Sequence, residues 1–238
     1  PAVLARFDGA STAKVKVADP GQGLEDDLAR VVAVREVLGP TGRIRVDANG
    51  AWPLDDARRA IAALARCDLE YVEQPCAEVE DLARLRRLLA RDGVDVRIAA
   101  DESIRRAEDP ERVRRAEAAD VMVVKVAPLG GVEAALAVID RVGLPAVVSS
   151  ALDTTVGIRA GVALAAALPE LPFACGLGTV ALLEGDVSPD PLLPRQGALA
   201  VGPIAVDPQL VAQHAAPPDR VAWWRDRLTR CHAVLTRG

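Results

Sequence analysis

The feature that most constrains this 238-residue chain is a recurrence. Short runs rich in β-branched residues return at nearly even intervals, each followed by a stretch with helical apolar spacing. The runs are Ala13–Val17, Arg43–Asp47, Leu69–Glu73, Arg97–Asp101, Val121–Lys125, Ala146–Ser149 and Phe173–Gly176. Their ends lie 24 to 31 residues apart, close to the ~30 residues of one strand–helix unit. Most are too apolar to be half-exposed, as expected of parallel strands covered on both faces. Helices are predicted at Leu24–Leu38, Leu54–Arg66, Val79–Arg91, Pro110–Glu117, Val132–Val142 and Thr154–Leu168, several ending at Gly or Pro.

Seven such units, with Pro1–Leu4 as the stub of an eighth strand, predict an α/β fold: a closed parallel (β/α)7β barrel. The GxGxxG pattern of an open dinucleotide-binding sheet is absent after the first strand. The expected division is a barrel over residues 1–185, followed by a Gly/Pro-rich meander and an amphipathic helix over 186–238. That helix, at Pro218–Leu235, carries Val221, Trp224, Leu228, Cys231 and Leu235 on one side, a stripe expected to pack on the barrel exterior. About ten residues separate Val3 from Lys14, too few for a full crossover, so the first unit reads as cut short.

Composition narrows the chemistry. The net charge of −5, with acids and bases interspersed, indicates neither a nucleic-acid nor an anionic-membrane surface. No apolar run approaches the ~20 residues of a membrane span, and no signal pattern opens the chain. Four cysteines without paired spacing suit reduced thiols in a cytoplasm. The only histidines, His214 and His232, are poorly placed for a zinc site or a Ser-His-Asp triad. Of 29 basic residues only Lys14, Lys16 and Lys125 are lysines, and Asn49 is the single asparagine. A coding bias toward arginine explains the scarcity, yet lysine alone of the two can give up its proton near neutral pH.

Active sites of parallel barrels sit at the C-terminal strand ends. Here those ends read Lys16, Asp47, Glu73, Asp101, Lys125, Ser149 and Gly176. Each has an ordinary explanation alone: Asp47-Ala48-Asn49-Gly50 as a turn, Glu73-Gln74-Pro75 as a strand stop, the lysines as snorkelling rim residues. Together they place three unpaired carboxylates at one rim, whose repulsion a hard divalent cation relieves. Oxygen-only ligation by Asp47, Glu73 and Asp101 points to Mg²⁺, with Mn²⁺ the second choice. Lys14 and Lys16 share one strand face. Lys16 and Lys125, from non-adjacent strands, suit opposite sides of a carbon next to a metal-held carboxylate.

The AKVKV, VDANG, YVEQP, IAADES and VVKVAPLGG stretches, in this order and spacing, resemble the enolase superfamily, above all its o-succinylbenzoate synthase branch in the actinobacterial form. The resemblance runs from Thr12 to Gly178. It implies that Asp47, Glu73 and Asp101 bind Mg²⁺ and that Lys16 is the base and then the acid. It implies that Lys125 faces it and stabilises an enediolate by cation–π contact, and that Lys14 orients the carboxylate and tunes Lys16. Asn49 would sit close to the metal. Ser149, Ser150 and the Cys175–Thr179 loop, including Gly176, Leu177 and Gly178, would hold a succinyl carboxylate. The implied reaction is a syn dehydration of 2-succinyl-6-hydroxy-2,4-cyclohexadiene-1-carboxylate toward menaquinone. A monomer or weak homo-oligomer with a small carboxylate substrate is expected. Family members carry a capping domain ahead of the barrel, and missing residues explain its absence here better than a lidless enzyme. The neighbouring alternative is an N-acylamino-acid racemase or dipeptide epimerase; the alternative of another class is a non-catalytic barrel scaffold.

Overall fold

The computed structural model describes Leu4, Phe7, residues 9–105 and residues 109–236. Six parallel strands form one sheet in chain order: β1 (Thr12–Lys16), β2 (Arg43–Asp47), β3 (Leu69–Glu73), β4 (Ile98–Ala100), β5 (Val121–Val124) and β6 (Ala146–Val148). Helices α1 (Leu24–Leu38), α2 (Leu54–Leu64), α3 (Val79–Arg91), α4 (Asp109–Arg115), α5 (Val132–Val142) and α6 (Thr155–Ala167) alternate with them. The predicted α/β alternation is therefore present, with each helix returning the chain to the N-terminal end of the next parallel strand.

The period-2 alternation of the strands separates two apolar layers. Val15, Val46, Val72, Ile98, Ala100, Met122, Val124 and Val148 join the helices in the main core. Tyr71, Ala99, Val121, Val123, Val147 and Phe173 form a second cluster on the inner face of the curled sheet. Between strands and helices, Ile61 of α2 and Leu82 and Leu85 of α3 are fully buried, each stabilising by roughly 2–3 kcal/mol relative to exposure. Caps fix the helix starts: the Gly23 N–H donates to Asp26 at 2.8 Å ahead of α1. Asp186 accepts from the Thr155 N–H at 3.0 Å at the start of α6, which ties the meander to the barrel.

Two expectations differ from the structure. The seventh strand is a single parallel bridge between Ser149 and Gly176. Pro172 contributes no N–H and restrains the residue before it, so only the end of this run can join a ladder. The result is a six-stranded, curled part-barrel rather than a closed one. The stub at Pro1–Leu4 falls largely outside the described residues. The last helix, α8 (Pro218–Leu235), forms where expected after the short α7 (Pro208–Gln213), but neither has a buried residue. Its stripe is open to solvent, with Trp224 56% and Leu228 70% exposed. No barrel groove meets it among the described residues, and the indoles of Trp223 and Trp224 pack on each other instead, 4.7 Å between centroids.

Among the described residues, no helix is long and apolar enough to cross a membrane. The cysteines are unpaired, with Cys67 and Cys76 buried and Cys231 exposed. Burial pushes the Cys76 thiol up to about 11. A thiol reagent at pH 7.5 is therefore expected to modify Cys231 at least ~100-fold faster than Cys67 or Cys76. Peptide mapping of a time course checks this, and fast labelling of Cys76 in folded protein would contradict the packing of the loop after β3.

Candidate active site

Register brings the charged strand ends to one level. Lys16 pairs with Asp47 and Asp47 with Glu73; Glu73 pairs with Ala99, two residues before Asp101. One step down, Lys14 pairs with Arg45 and Arg45 with Tyr71. Because alternate residues share a face, Lys14, Lys16, Asp47 and Glu73 line the concave side, and Lys125 follows β5 at the same rim. Asp47, Glu73 and Asp101 are at most 1% exposed.

The carboxylates are not unpaired, which corrects the sequence expectation. Lysine stems reach across the ~4.8 Å between strands and meet them. Lys14 Nζ bonds both Asp47 Oδ2 and Glu73 Oε1 at 2.7 Å. Lys16 Nζ bonds Asp47 Oδ2 at 2.5 Å and Asn49 Oδ1 at 2.6 Å. Lys125 Nζ holds both oxygens of Asp101, at 2.9 and 2.6 Å, and Arg105 adds a bond of 2.8 Å to the same carboxylate. Only Glu73 Oε2 is buried without a partner among these oxygens.

This imbalance sets the protonation behaviour. Burial pushes Asp47 up, but Lys14 and Lys16 outweigh it and hold the carboxyl below its usual range. Burial pulls the Lys14 ammonium down, and the fields of Glu73 and Asp47 more than offset that, raising it. At Glu73 burial dominates; Lys14 offsets only part of it, Asp47 and Asp101 add repulsion, and the carboxyl is pushed up to about 7. The two ends of the Lys14–Glu73 contact thus point in opposite senses. Geometry assigns the penalty to Glu73, since Lys14 has a second acceptor whereas one Glu73 oxygen has no donor.

The turns beyond the strands hold the frame. Asn49 adopts a left-handed φ of 47°, its N–H bonds Asp47 Oδ1 at 3.0 Å and its amide donates to Glu102 Oε1 at 3.2 Å. Gln74, also left-handed at 37° and fully buried, was read from sequence only as part of a strand stop. Its Oε1 accepts from the N–H groups of Asp101 and Ser103, and its Nε2 donates to Cys76 O and Ser103 Oγ. A buried amide saturated in this way fixes the turn that carries Asp101. Arg105 and Glu102 were missed as well, because a rim guanidinium and a second acidic residue look like any solvated pair in this Arg-rich chain.

A second cluster lies after β6. Ser150 Oγ donates to Gly176 O at 2.9 Å and lies 3.0 Å from Thr179 Oγ1, while Ser149 Oγ is 3.5 Å from the same carbonyl. A side chain at Gly176 would fall 2.8 Å from Ser149 Oγ, so a larger residue there would turn the Ser149 hydroxyl away from the Gly176 carbonyl. Leu177 is buried in the main core, so it offers the rim its backbone alone. Gly178 lies beneath Phe7 and Pro194.

A family model described as "Enolase C-terminal domain-like" matches residues 2–205. The o-succinylbenzoate synthase of Thermobifida fusca is 59% identical over 226 residues, 95% of this chain and 69% of that protein. The one from Mycolicibacterium smegmatis is 60% identical over 236 residues, 99% of this chain and 71% of that protein. The chain belongs to the o-succinylbenzoate synthase family of the enolase superfamily. A muconate cycloisomerase structure from Pseudomonas fluorescens superposes with a TM-score of 0.78 at 26% identity, covering 89% of this chain and 60% of that one. A mandelate racemase/muconate lactonizing family protein from Azoarcus gives 0.76 at 26% identity, over 91% of this chain and 60% of that one. The chain thus spans about seven-tenths of these curated relatives and three-fifths of the solved structures.

Enolase-superfamily enzymes typically use Mg²⁺. Among the described residues, no three His, Cys, Asp or Glu side chains already form a metal cage; lysines and Arg105 hold the carboxylates instead. The donor set nevertheless fits a hard cation: all oxygen, all buried, with Glu73 Oε2 lacking a donor.

Two outcomes follow. Since the folded pKa of Glu73 is raised above 4.5, its contribution is present below pH 4.5 and lost as pH rises through about 7. Metal-free Glu73→Gln protein should therefore melt higher than the parent at pH 8, by on the order of 3 kcal/mol, and no differently at pH 4.5. Thermal unfolding with a chelator present checks this, and a lower melting point at pH 8 would refute it. Gln74→Ala leaves buried N–H groups without an acceptor, and should cost about 1–3 kcal/mol and weaken Mg²⁺ binding by ~10–100-fold, as measured by calorimetry.

Proposed function

We propose that this chain is the catalytic barrel of an o-succinylbenzoate synthase, a carbon–oxygen lyase that dehydrates 2-succinyl-6-hydroxy-2,4-cyclohexadiene-1-carboxylate to o-succinylbenzoate for menaquinone synthesis. The observation that carries the reading is the arrangement of Lys16 and Lys125. They stand four strands apart on one rim, each bonded to a different carboxylate of the Asp47–Glu73–Asp101 set. The relatives' shared name supports the same chemistry.

Asp47, Glu73 and Asp101 would hold a Mg²⁺ ion, which would supply positive charge beside the substrate carboxylate as it gains electron density. Lys16, half-exposed at the rim, removes the proton from the carbon beside that carboxylate. The resulting ammonium then protonates the departing hydroxyl on the same face, so one group serves both halves of a syn elimination and water leaves. Lys125 places a fixed ammonium on the other face, where it stabilises developing negative charge by an electrostatic or cation–π contact. Lys14 keeps the Asp47 and Glu73 carboxylates apart and oriented. Ser149, Ser150 and the Gly176–Gly178 backbone hold the distal succinyl carboxylate. Aromatisation makes the step downhill, so one base and one electrostatic clamp suffice.

Lys16→Ala should lower the dehydration rate, read from aromatic absorbance, by at least ~10³-fold with Mg²⁺ affinity changed little. An unchanged rate would remove Lys16 as the base and favour a non-catalytic barrel. The two lysines on separate strands also suit a racemase trading one proton. Deuterium exchange of an N-acyl amino acid, abolished by either Lys16→Ala or Lys125→Ala, distinguishes that activity.

A further inference from the structure

Beneath the rim lies a charged group that the mechanism does not use. Arg45 is 4% exposed, one register step below Asp47 on β2 and beside Lys14 and Tyr71. Its Nε pairs with Glu70 Oε2 at 2.5 Å. Glu70 is the extra residue of a bulge in β3, since Ile44 pairs with Leu69 and Arg45 with Tyr71. Arg45 Nη1 donates to the carbonyl of Ala174 at 2.8 Å, across 129 residues of chain. The guanidinium carbon lies 4.8 Å from the Tyr71 ring centre and 5.8 Å from that of Phe173. Its Nη2 is buried with no acceptor among the described residues. A buried ion pair with a wasted donor is a poor device for stability, so its geometry needs another reason.

That reason is the run it reaches. Phe173–Gly176 makes no ladder, only the bridge to Ser149, with the Gly176 N–H bonded to Val148 O at 2.9 Å. On its other side no strand pairs with it among the described residues. Arg45 therefore supplies, from across the concave face, the bond that a neighbouring strand would have made. We propose that Arg45 is a positioning residue, which ties the Gly176–Gly178 loop to the carboxylate-bearing strand β2 and so sets the distance between the two ends of the substrate site. Lysine cannot replace it, because one ammonium on a flexible stem does not reach Glu70 and Ala174 in the fixed fork of a guanidinium.

The substrate-site clause rests on the proposed dehydratase reading, so the test has one arm that needs no activity. Arg45→Met with Glu70→Leu removes the pair together and leaves no buried charge; Arg45→Lys keeps the charge without the fork. In the double variant, amide exchange of residues 173–179 should accelerate about tenfold or more, with residues 43–47 and 121–124 unchanged. KM for the cyclohexadiene carboxylate should rise about tenfold with kcat within about threefold, and Mg²⁺ affinity should hold within about twofold. Arg45→Lys should restore less than half of the KM effect. Unchanged exchange at 173–179 overturns the proposal, as does a general loss of protection throughout the sheet, which would make the pair merely structural. A parent lacking dehydratase activity overturns the functional reading alone, and exchange still decides the tie.

Discussion

Two carboxylates with essentially no solvent contact, Asp47 and Glu73, face one another across adjacent strands and share the ammonium of Lys14. Left alone, two buried like charges at this spacing cannot both stay ionised. Lys14 resolves the conflict unevenly: Asp47 also has Lys16, whereas Glu73 keeps one oxygen without a donor. The fold tolerates this because the cost is local and the strands beneath are held by apolar contacts on both faces. It also means that the centre is already desolvated, with Asp47 ionised and Glu73 holding a proton up to about pH 7, so a cation entering it meets carboxylates that have given up their hydration and displaces that proton.

The strands that carry these groups were legible because two regularities coincide. The interval between runs identifies strand–helix units, and the period of two places Lys14 with Lys16 and Asp47 in register with Glu73. Neither depends on knowing the tertiary structure. What escaped was whatever depends on a particular side chain crossing between units. Gln74 looks like punctuation before Pro75, yet its amide bonds the Asp101 turn. Arg45 is one of 26 arginines, and nothing local separates it from a solvated one. The seventh strand is shorter than its sequence suggests, since an apolar run beside Pro172 does not reveal that its ladder shrinks to one bridge. The amphipathic pattern of α8 predicted its helix, whose apolar stripe is exposed among the described residues; periodicity says that a face exists and not what meets it.

Function and foldability also divide along the axis of the curled sheet. At the N-terminal level the concave face is Tyr71, Phe173, Val121 and Val147 around the Arg45–Glu70 pair. At the C-terminal level the same alternation presents lysines and carboxylates. The left-handed backbones of Asn49 and Gln74 lie at this second level, where a departure from ordinary dihedrals costs about 1–3 kcal/mol each. Both are offset by side-chain hydrogen bonds into the neighbouring turn, and both lie in the turns that follow Asp47 and Glu73 and lead toward Asp101.

The distribution of cations completes the argument. Arginine appears wherever this chain needs a fixed fork: Arg45 toward Glu70 and Ala174, Arg35 toward the Cys67 and Asp68 carbonyls, Arg58 toward Asp92. Lysine appears at three positions, each bonded to a carboxylate of the same set. Arginine would pair with Asp47 at least as well, and two of its nitrogens would satisfy both oxygens. It would also stay protonated at every pH the cell reaches, and its planar head would fill the space that a substrate must occupy. A chain that substitutes arginine almost everywhere and keeps lysine only here therefore retains, at this rim, groups able to exchange a proton, and that is the property the proposed reaction requires of Lys16.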